Sequence, residues 1–256
     1  MKRIFLAIVL LIGPTGFVGA QRPDFEAITI EHGLSQGMIY DLLQTRDGFL
    51  WIATKDGLNR YDGYNFKVFD NDPYNPFSLA ENTVTALFED SRGWLWVGTE
   101  SKGLDLYDRR SGRFHHFNLD FKPSNTAVAY DTKDIGETPD GDIWAIQKGG
   151  GLIHVPIPQS WQDALPGEAD LGRLAHPVQI VFDMVQASNH KIPEFFISFI
   201  VTGKDSLLLF SNYQQYWVHT KTGAVLPIDN PQFPPYLEDV AFHSSTQGRE
   251  IWLANN

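Results

Sequence analysis

A tryptophan-centred motif recurs along the chain at near-regular spacing, and this repeat limits the possible folds more than any other feature. The stretches DGFLWIATKDGLNRYDGYNFKVF (Asp47–Phe69) and RGWLWVGTESKGLDLYDRRSGRFHHF (Arg92–Phe117) place turns and aromatics at matching offsets. Shorter copies follow as DGDIWAIQKGGGLIHV (Asp140–Val155) and GREIWLANN from Gly248, with a fainter copy over Lys204–Ile228 in which Leu209 takes the tryptophan position. The key positions are Trp51, Trp96, Trp144, Leu209 and Trp252, at spacings of 45, 48, 65 and 43 residues. A period in the 20–50 range is the mark of a solenoid, propeller or array.

Each copy reads as four short strands. In the first, Ile39–Gln44, Phe49–Thr54, Leu58–Tyr61 and Asn65–Phe69 are separated by Asp47-Gly48, Asp56-Gly57 and Asp62-Gly63. Strands rich in Trp, Val, Ile, Phe and Tyr, punctuated by Gly-containing turns, are hairpin signals. A four-stranded antiparallel unit of this size, repeated radially, is a propeller blade. The reading is therefore all-β: a β-propeller of four-stranded antiparallel blades, about four and a half of them present. Blades are expected near 34–69, 79–118, 128–182, 195–228 and 236–256. The recurring tryptophans fit inter-blade packing better than ligand stacking, since a ligand contact need not return in every copy.

Two segments break the pattern. The Pro-, Gly- and Ala-rich stretch 156–177 is read as an insertion between the third and fourth strands of blade three, explaining the 65-residue spacing. Trp161 and Leu165 are expected to pack it onto the propeller rim; a lid or a partner contact is the other reading. Asp24–Ile30 resembles a fourth strand without the three before it, so it is expected to close the ring against the last blade. With two strands in blade five, the expectation is a fragment of a longer, seven-bladed propeller. A strained five-fold closure is the alternative.

The stretches GLSQGMIYDLLQTRDGFLWIATKDGLNRYDGYNFKVFDNDP and LAENTVTALFEDSRGWLWVGTESKGLDLYDRRSGRFHHF resemble the two-component-regulator propeller repeat. The match is close over 31–118, fair over 134–155 and weak over 195–256. That repeat forms the periplasmic sensor of bacterial hybrid histidine kinases and related regulators. The resemblance implies a signal peptide, usually two seven-bladed propellers, a β-sandwich, a membrane helix, a kinase core and often a response regulator with a DNA-binding tail. It also implies a carbohydrate-derived ligand, the remaining blades and signalling domains as partners, and a homodimer as one arrangement open to it. No phosphoacceptor His motif, ATP-lid segment or receiver-type pocket is legible in these residues, so the chain is read as non-enzymatic, with kinase activity assigned to a further C-terminal part.

The N-terminus has the layout of a cleavable secretory signal over residues 1–20: Lys2 and Arg3, an apolar run from Ile4 to Ile12, then Val18-Gly19-Ala20. A run of nine residues falls short of the roughly 20 that span a bilayer. A periplasmic location follows, with the full-length protein anchored in the inner membrane. The chain has no cysteine, so disulfides, thiolate sites and a lipobox anchor are excluded. A net charge of −11 argues against nucleic acid as a partner.

Chemistry is sparse. His115 and His116 are adjacent on a strand and so point to opposite faces, a poor metal pair. Asp90 and Asp108 sit where turns favour Asp. Gly149-Gly150-Gly151 lacks the Lys-Ser/Thr of a phosphate loop. No catalytic residue, metal or cofactor is called for. If a ligand binds, the loops entering strand one and those joining strands two and three lie on one face around the channel. They carry Ser35, Gln36, Lys55, Asp56, Glu81, Asn82, Glu100, Lys102, Gln147 and Lys148. The favoured reading is a ligand sensor; an exported glycan-acting propeller enzyme and a structural interaction propeller are the alternatives.

Overall fold

The computed structural model describes residues 27–117, 131–147, 151–158, 161, 179–182, 196–229, 239–245 and 248–254. It is a row of antiparallel meanders. The first sheet holds β1 (Ile39–Gln44), β2 (Leu50–Thr54), β3 (Gly57–Tyr61) and β4 (Phe66–Phe69) in sequence order. The second holds β5 (Val84–Glu89), β6 (Leu95–Thr99), β7 (Leu104–Asp108) and β8 (Arg113–Phe117). The third holds β9 (Thr132–Glu137), β10 (Ile143–Gln147), β11 (Gly151–Val155) and β12 (Gln179–Phe182). The fourth holds β13 (Phe196–Gly203), β14 (Ser206–Ser211), β15 (Gln215–His219) and β16 (Ala224–Ile228), and a hairpin of β17 (Asp239–Ser245) and β18 (Gly248–Ala254) follows. First strands of successive sheets lie side by side, and the second strands of the first three sheets meet the next sheet's first strand. These are the four-stranded blades of an all-β propeller, with first strands innermost.

The core lies between blades. Trp51, Ala53, Leu58 and Phe69 of blade one meet Leu87, Leu95, Val97, Tyr107 and Phe114 of blade two. The far face of blade two repeats the pattern with Trp96, Leu104 and Phe117 against Ile135, Ile143, Ala145 and Val155. Trp144, Ile146 and Leu152 then pack on Phe199, Leu207, Leu209 and Val218. Each of the first three blades therefore sends a tryptophan forward. The indole is tied to its own sheet: Trp51 Nε1–H donates to Thr45 Oγ1 at 3.2 Å, and Trp96 Nε1–H to Asp90 Oδ2 at 3.1 Å, across the first hairpin in both cases. In blade three the indole stacks on His154 at 4.4 Å, and its buried N–H has no hydrogen-bond partner among the described residues.

Two glycines are demanded by geometry. Gly57 closes the Lys55-Asp56-Gly57 hairpin at φ 101°, where a Cβ would stand 2.8 Å from the Phe69 carbonyl oxygen. Gly98 has ordinary φ, but a Cβ there would come within 2.6 Å of Thr132 in the next blade.

The structure corrects the phase of blade four. Thr54, Thr99 and Ser211 each bond the carbonyl that closes the hairpin between strands two and three, on Gly57, Gly103 and Gln214. Counting back three residues from each reaches Trp51, Trp96 and Leu208. Leu209 instead faces backward, in the core with Trp144, at the position of Ile52, Val97 and Ala145. The run Leu207-Leu208-Leu209 offers no alternation from which to read which residue points where.

Of the leading strand expected over 24–30, residues 24–26 lie outside the described residues and Ala27–Thr29 form no strand. Ile30–His32 make one 3-10 turn, in which Thr29 and His32 satisfy each other's backbone as a capping box. The insertion begins as a packed segment. Ile157 and Trp161 are buried between blades two and three, and Trp161 meets Trp94 edge-on at 6.2 Å. Leu165 and the signal segment 1–20 lie outside the described residues. The strand following the insertion pairs with β11, so the excursion separates the third and fourth strands of blade three.

Replacing Trp96, fully buried with its N–H paired, by Ala is expected to cost about 3–5 kcal/mol. Trp217→Ala, at a side chain 44% exposed, should change stability by less than about 1 kcal/mol. Urea denaturation of both variants checks the contrast.

Candidate functional site

The loops entering strand one and the hairpins between strands two and three meet on one face of the array, where backbone bonds join them directly. Gly57 N–H donates to the Asn82 carbonyl at 2.7 Å, and Glu100 N–H to the Thr83 carbonyl at 3.1 Å. Segment 79–83 therefore touches the hairpin of the blade before it and the hairpin of its own blade.

Side chains reinforce these joints. Asn82 Nδ2 donates to Asp56 Oδ1 at 3.0 Å, while Asn82 Oδ1 accepts from Asn71 N–H at 2.7 Å. Glu81 takes both the backbone N–H and the hydroxyl of Ser101, at 2.6 and 2.7 Å. Ser35 N–H donates to Asn59 Oδ1 at 2.9 Å, and its hydroxyl accepts from Asn59 Nδ2 at 2.7 Å. Gln36 turns back to accept from the Met38 N–H. Lys55, Glu100 and Lys102 are exposed. Ser35, Gln36, Asp56, Glu81 and Asn82 thus spend hydrogen-bonding capacity on the scaffold, and the three exposed charges are left facing solvent. Gln147 is buried, and among the described residues neither of its amide atoms has a hydrogen-bond partner. It occupies the position of Thr54 and Thr99, but its β10–β11 hairpin includes Lys148, which lies outside the described residues.

Sequence reasoning missed a second polar set on the inner strands. Asp41 in β1 and Asp134 in β9 hold the same repeat position, opposite Ala53 and Ile146. Each carboxylate reaches the inner strand of the following blade. Asp41 Oδ2 accepts from Leu87 N–H at 2.7 Å, and Asp134 Oδ2 from Phe199 N–H at 3.1 Å and from the Ser198 hydroxyl. Blade two has Ala86 at this position. Burial, with a smaller contribution from the Asp41 charge, pushes the Asp134 carboxyl up to about 6 against these bonds. Burial likewise raises Asp41. An Asp at the third residue of two first strands was the available signal; it was hidden because neither residue lies in a loop.

The outer strands add a pair of a buried aspartate and a half-buried histidine. Asp105, raised by burial, holds His116 Nδ1 at 2.7 Å and accepts Ala80 N–H at 2.8 Å. The Asp105 carboxylate raises His116 in turn. His115 lies edge-on to Phe77 at 6.2 Å, on the other side of the strand. Among the described residues no three His, Asp or Glu side chains converge as metal ligands.

The two segments that build this face, 33–56 and 78–101, match the family model for the two component regulator propeller. Two of its blades carry that regulator repeat. A histidine kinase of Formosa agariphila is 40% identical over 76 residues, which is 30% of this chain and 5% of that protein. The extracellular domain of a hybrid two component system from B. thetaiotaomicron superposes with a TM-score of 0.60 at 18% identity, over 89% of this chain and 29% of that one. Virginiamycin B lyase from Staphylococcus aureus superposes at 0.57 and 14% identity, over 84% of this chain and 62% of that one. At such identities the superpositions show the propeller fold, which hosts sensors and enzymes alike. The chain spans under a third of the two-component protein domains it resembles.

Asp134 gives the site a pH signature. Its folded value of about 6 lies above the 3.8 of a free carboxyl, so the folded state binds this proton more tightly. Stability from this group is greatest below about pH 4 and falls as pH rises through 6, by about 3 kcal/mol at most. Asp134→Asn is expected to remove that fall and to leave the pH 7 melting temperature equal to or above wild type. Thermal melts from pH 4 to 7 check it; an unchanged slope assigns the titration elsewhere.

Proposed function

We propose that this chain is the ligand-sensing propeller region of an exported two-component regulator of the hybrid histidine kinase type, non-catalytic in itself and located in the periplasm. The observation that carries the reading is the pair of regulator repeats spanning 33–56 and 78–101, which also form the candidate face. The chemistry of the face supports it. Glu81 is bonded to Ser101 and Asp56 to Asn82, so these carboxylates serve the scaffold instead of facing one another across a cleft as a glycosidase pair would. What remains outward is a mixed set of charges, Lys55, Glu100 and Lys102, suited to hold a polar ligand without transforming it.

The ligand class is carbohydrate, with acidic oligosaccharides favoured by the two lysines. Binding on this face would bridge blades one and two, because segment 79–83 is already bonded to the hairpins of both. No nucleic acid is expected to bind, in keeping with the −11 net charge.

A thermal-shift screen of the purified protein against neutral and acidic oligosaccharides tests the reading. One class is expected to raise the melting temperature by a few degrees, as a ligand well above its Kd does, with no product formed on prolonged incubation. Lys55→Ala and Lys102→Ala should each reduce that shift without lowering the ligand-free melting temperature. Turnover of any oligosaccharide would replace the sensor with an enzyme, and a shift insensitive to both lysines would move the site off this face.

A further inference from the structure

The segment leading into strand one is pinned to strand three of its own blade by a joint that blades one and two make with different chemistry. In blade one, Ser35 N–H donates to Asn59 Oδ1 at 2.9 Å, Asn59 Nδ2 donates back to the Ser35 hydroxyl, and Val68 stands across the ladder from Asn59. In blade two, Ala80 N–H donates to Asp105 Oδ2 at 2.8 Å, and His116 stands across the ladder from Asp105. Asn59 and Asp105 hold one repeat position, opposite Ile52 and Val97. Blades three and four have Ile153 and Tyr216 there. Neutral groups suffice for the joint in blade one. Among the described blades, blade two alone builds it from two titratable groups.

Both ring nitrogens of His116 face acceptors. Nδ1 lies 2.7 Å from Asp105 Oδ1, and Nε2 lies 3.0 Å from the Pro76 carbonyl. Two acceptors need two ring hydrogens, which only the imidazolium carries; the neutral ring turns a lone pair on one of them. Asp105 is sealed from water, while the His116 side chain is 27% exposed, so solvent can exchange its proton. The hydrogen bond to Asp105 raises His116 above the ordinary 6.5, with burial opposing it. Two further charges bear on the pair: Glu81 acts on Asp105, and His115, across β8, is held down in part by the His116 charge.

The two anchors, Pro76 and Ala80, bracket the end of the connector between the blades. The next three residues, Glu81, Asn82 and Thr83, bond the hairpins of blades one and two on the candidate face. We propose that His116 and Asp105 form a proton-controlled latch, which clamps residues 76–80 to blade two when His116 is an imidazolium and frees them when it is neutral. A raised histidine contributes its stability below its ordinary value and loses it as pH rises through the folded one. The latch is therefore closed in mild acid and opens on the alkaline side of 6.5. It does not depend on the face binding a ligand.

Hydrogen exchange read by mass spectrometry, with rates corrected for the intrinsic effect of pH, tests this on the full chain from about pH 6 to 9. Protection of amides 77–80 is expected to fall about tenfold or more across that range, while amides 33–37, held by the neutral joint of blade one, stay level. Ala80→Ser with Asp105→Asn and His116→Val transplants the blade-one joint and should make 77–80 as level as 33–37. His116→Gln, a single change, should also abolish the slope and carries the test if the triple variant fails to fold. A level wild type, or a slope that survives in a folded variant, overturns the latch.

Discussion

The architecture rests on a large indole held rigid in its own sheet and delivered into the next. The hydrogen bond from Trp51 to Thr45, or from Trp96 to Asp90, spans the first hairpin and ties the ring to its own sheet. The neighbour then supplies a wall of Leu, Val, Tyr and Phe. Specificity lies in the register of that wall, and the apolar area it removes from water supplies the driving force. Blades two and three are thus each both plug and receptor, and the direction of the row is built into these copies.

A second layer of bonding surrounds this core at both rims. On the rim opposite the candidate face, Glu89 accepts Arg46 N–H and Glu137 accepts Ser91 N–H, the same joint made one blade later. Arg92 ties Asp90 to Glu137, and Arg109 ties Asp47 to Glu89. These joints connect nearest neighbours only, as in other repeat architectures. Blade four lacks the carboxylate, since Val201 stands at the position of Glu137.

Blades one and two were legible almost to the residue, because Gly-containing turns fall where backbone geometry admits little else. Gly48, Gly57, Gly93 and Gly103 all adopt positive φ at expected hairpins. Blade four kept its strands but lost its phase, since a run of leucines cannot report which side faces inward. The candidate face was legible as a location. That Asn82 bonds Asp56 in the blade before it, and Glu81 the hairpin of its own blade, was not, because partners 20 or 26 residues apart meet only once the fold is known. Asp41 and Asp134 were passed over for the opposite reason: they sit inside strands, where an acid reads as interruption rather than as a link to the next blade.

The segment from Glu81 to Thr83 grips the preceding hairpin through Gly57 and Asp56 and the following one through Glu100 and Ser101. It acts as a tie-bar laid across a seam. A push on one hairpin tip has a path to the next that bypasses the oily wedge between the sheets. A sensor made this way would feel a ligand as a change in the angle between spokes.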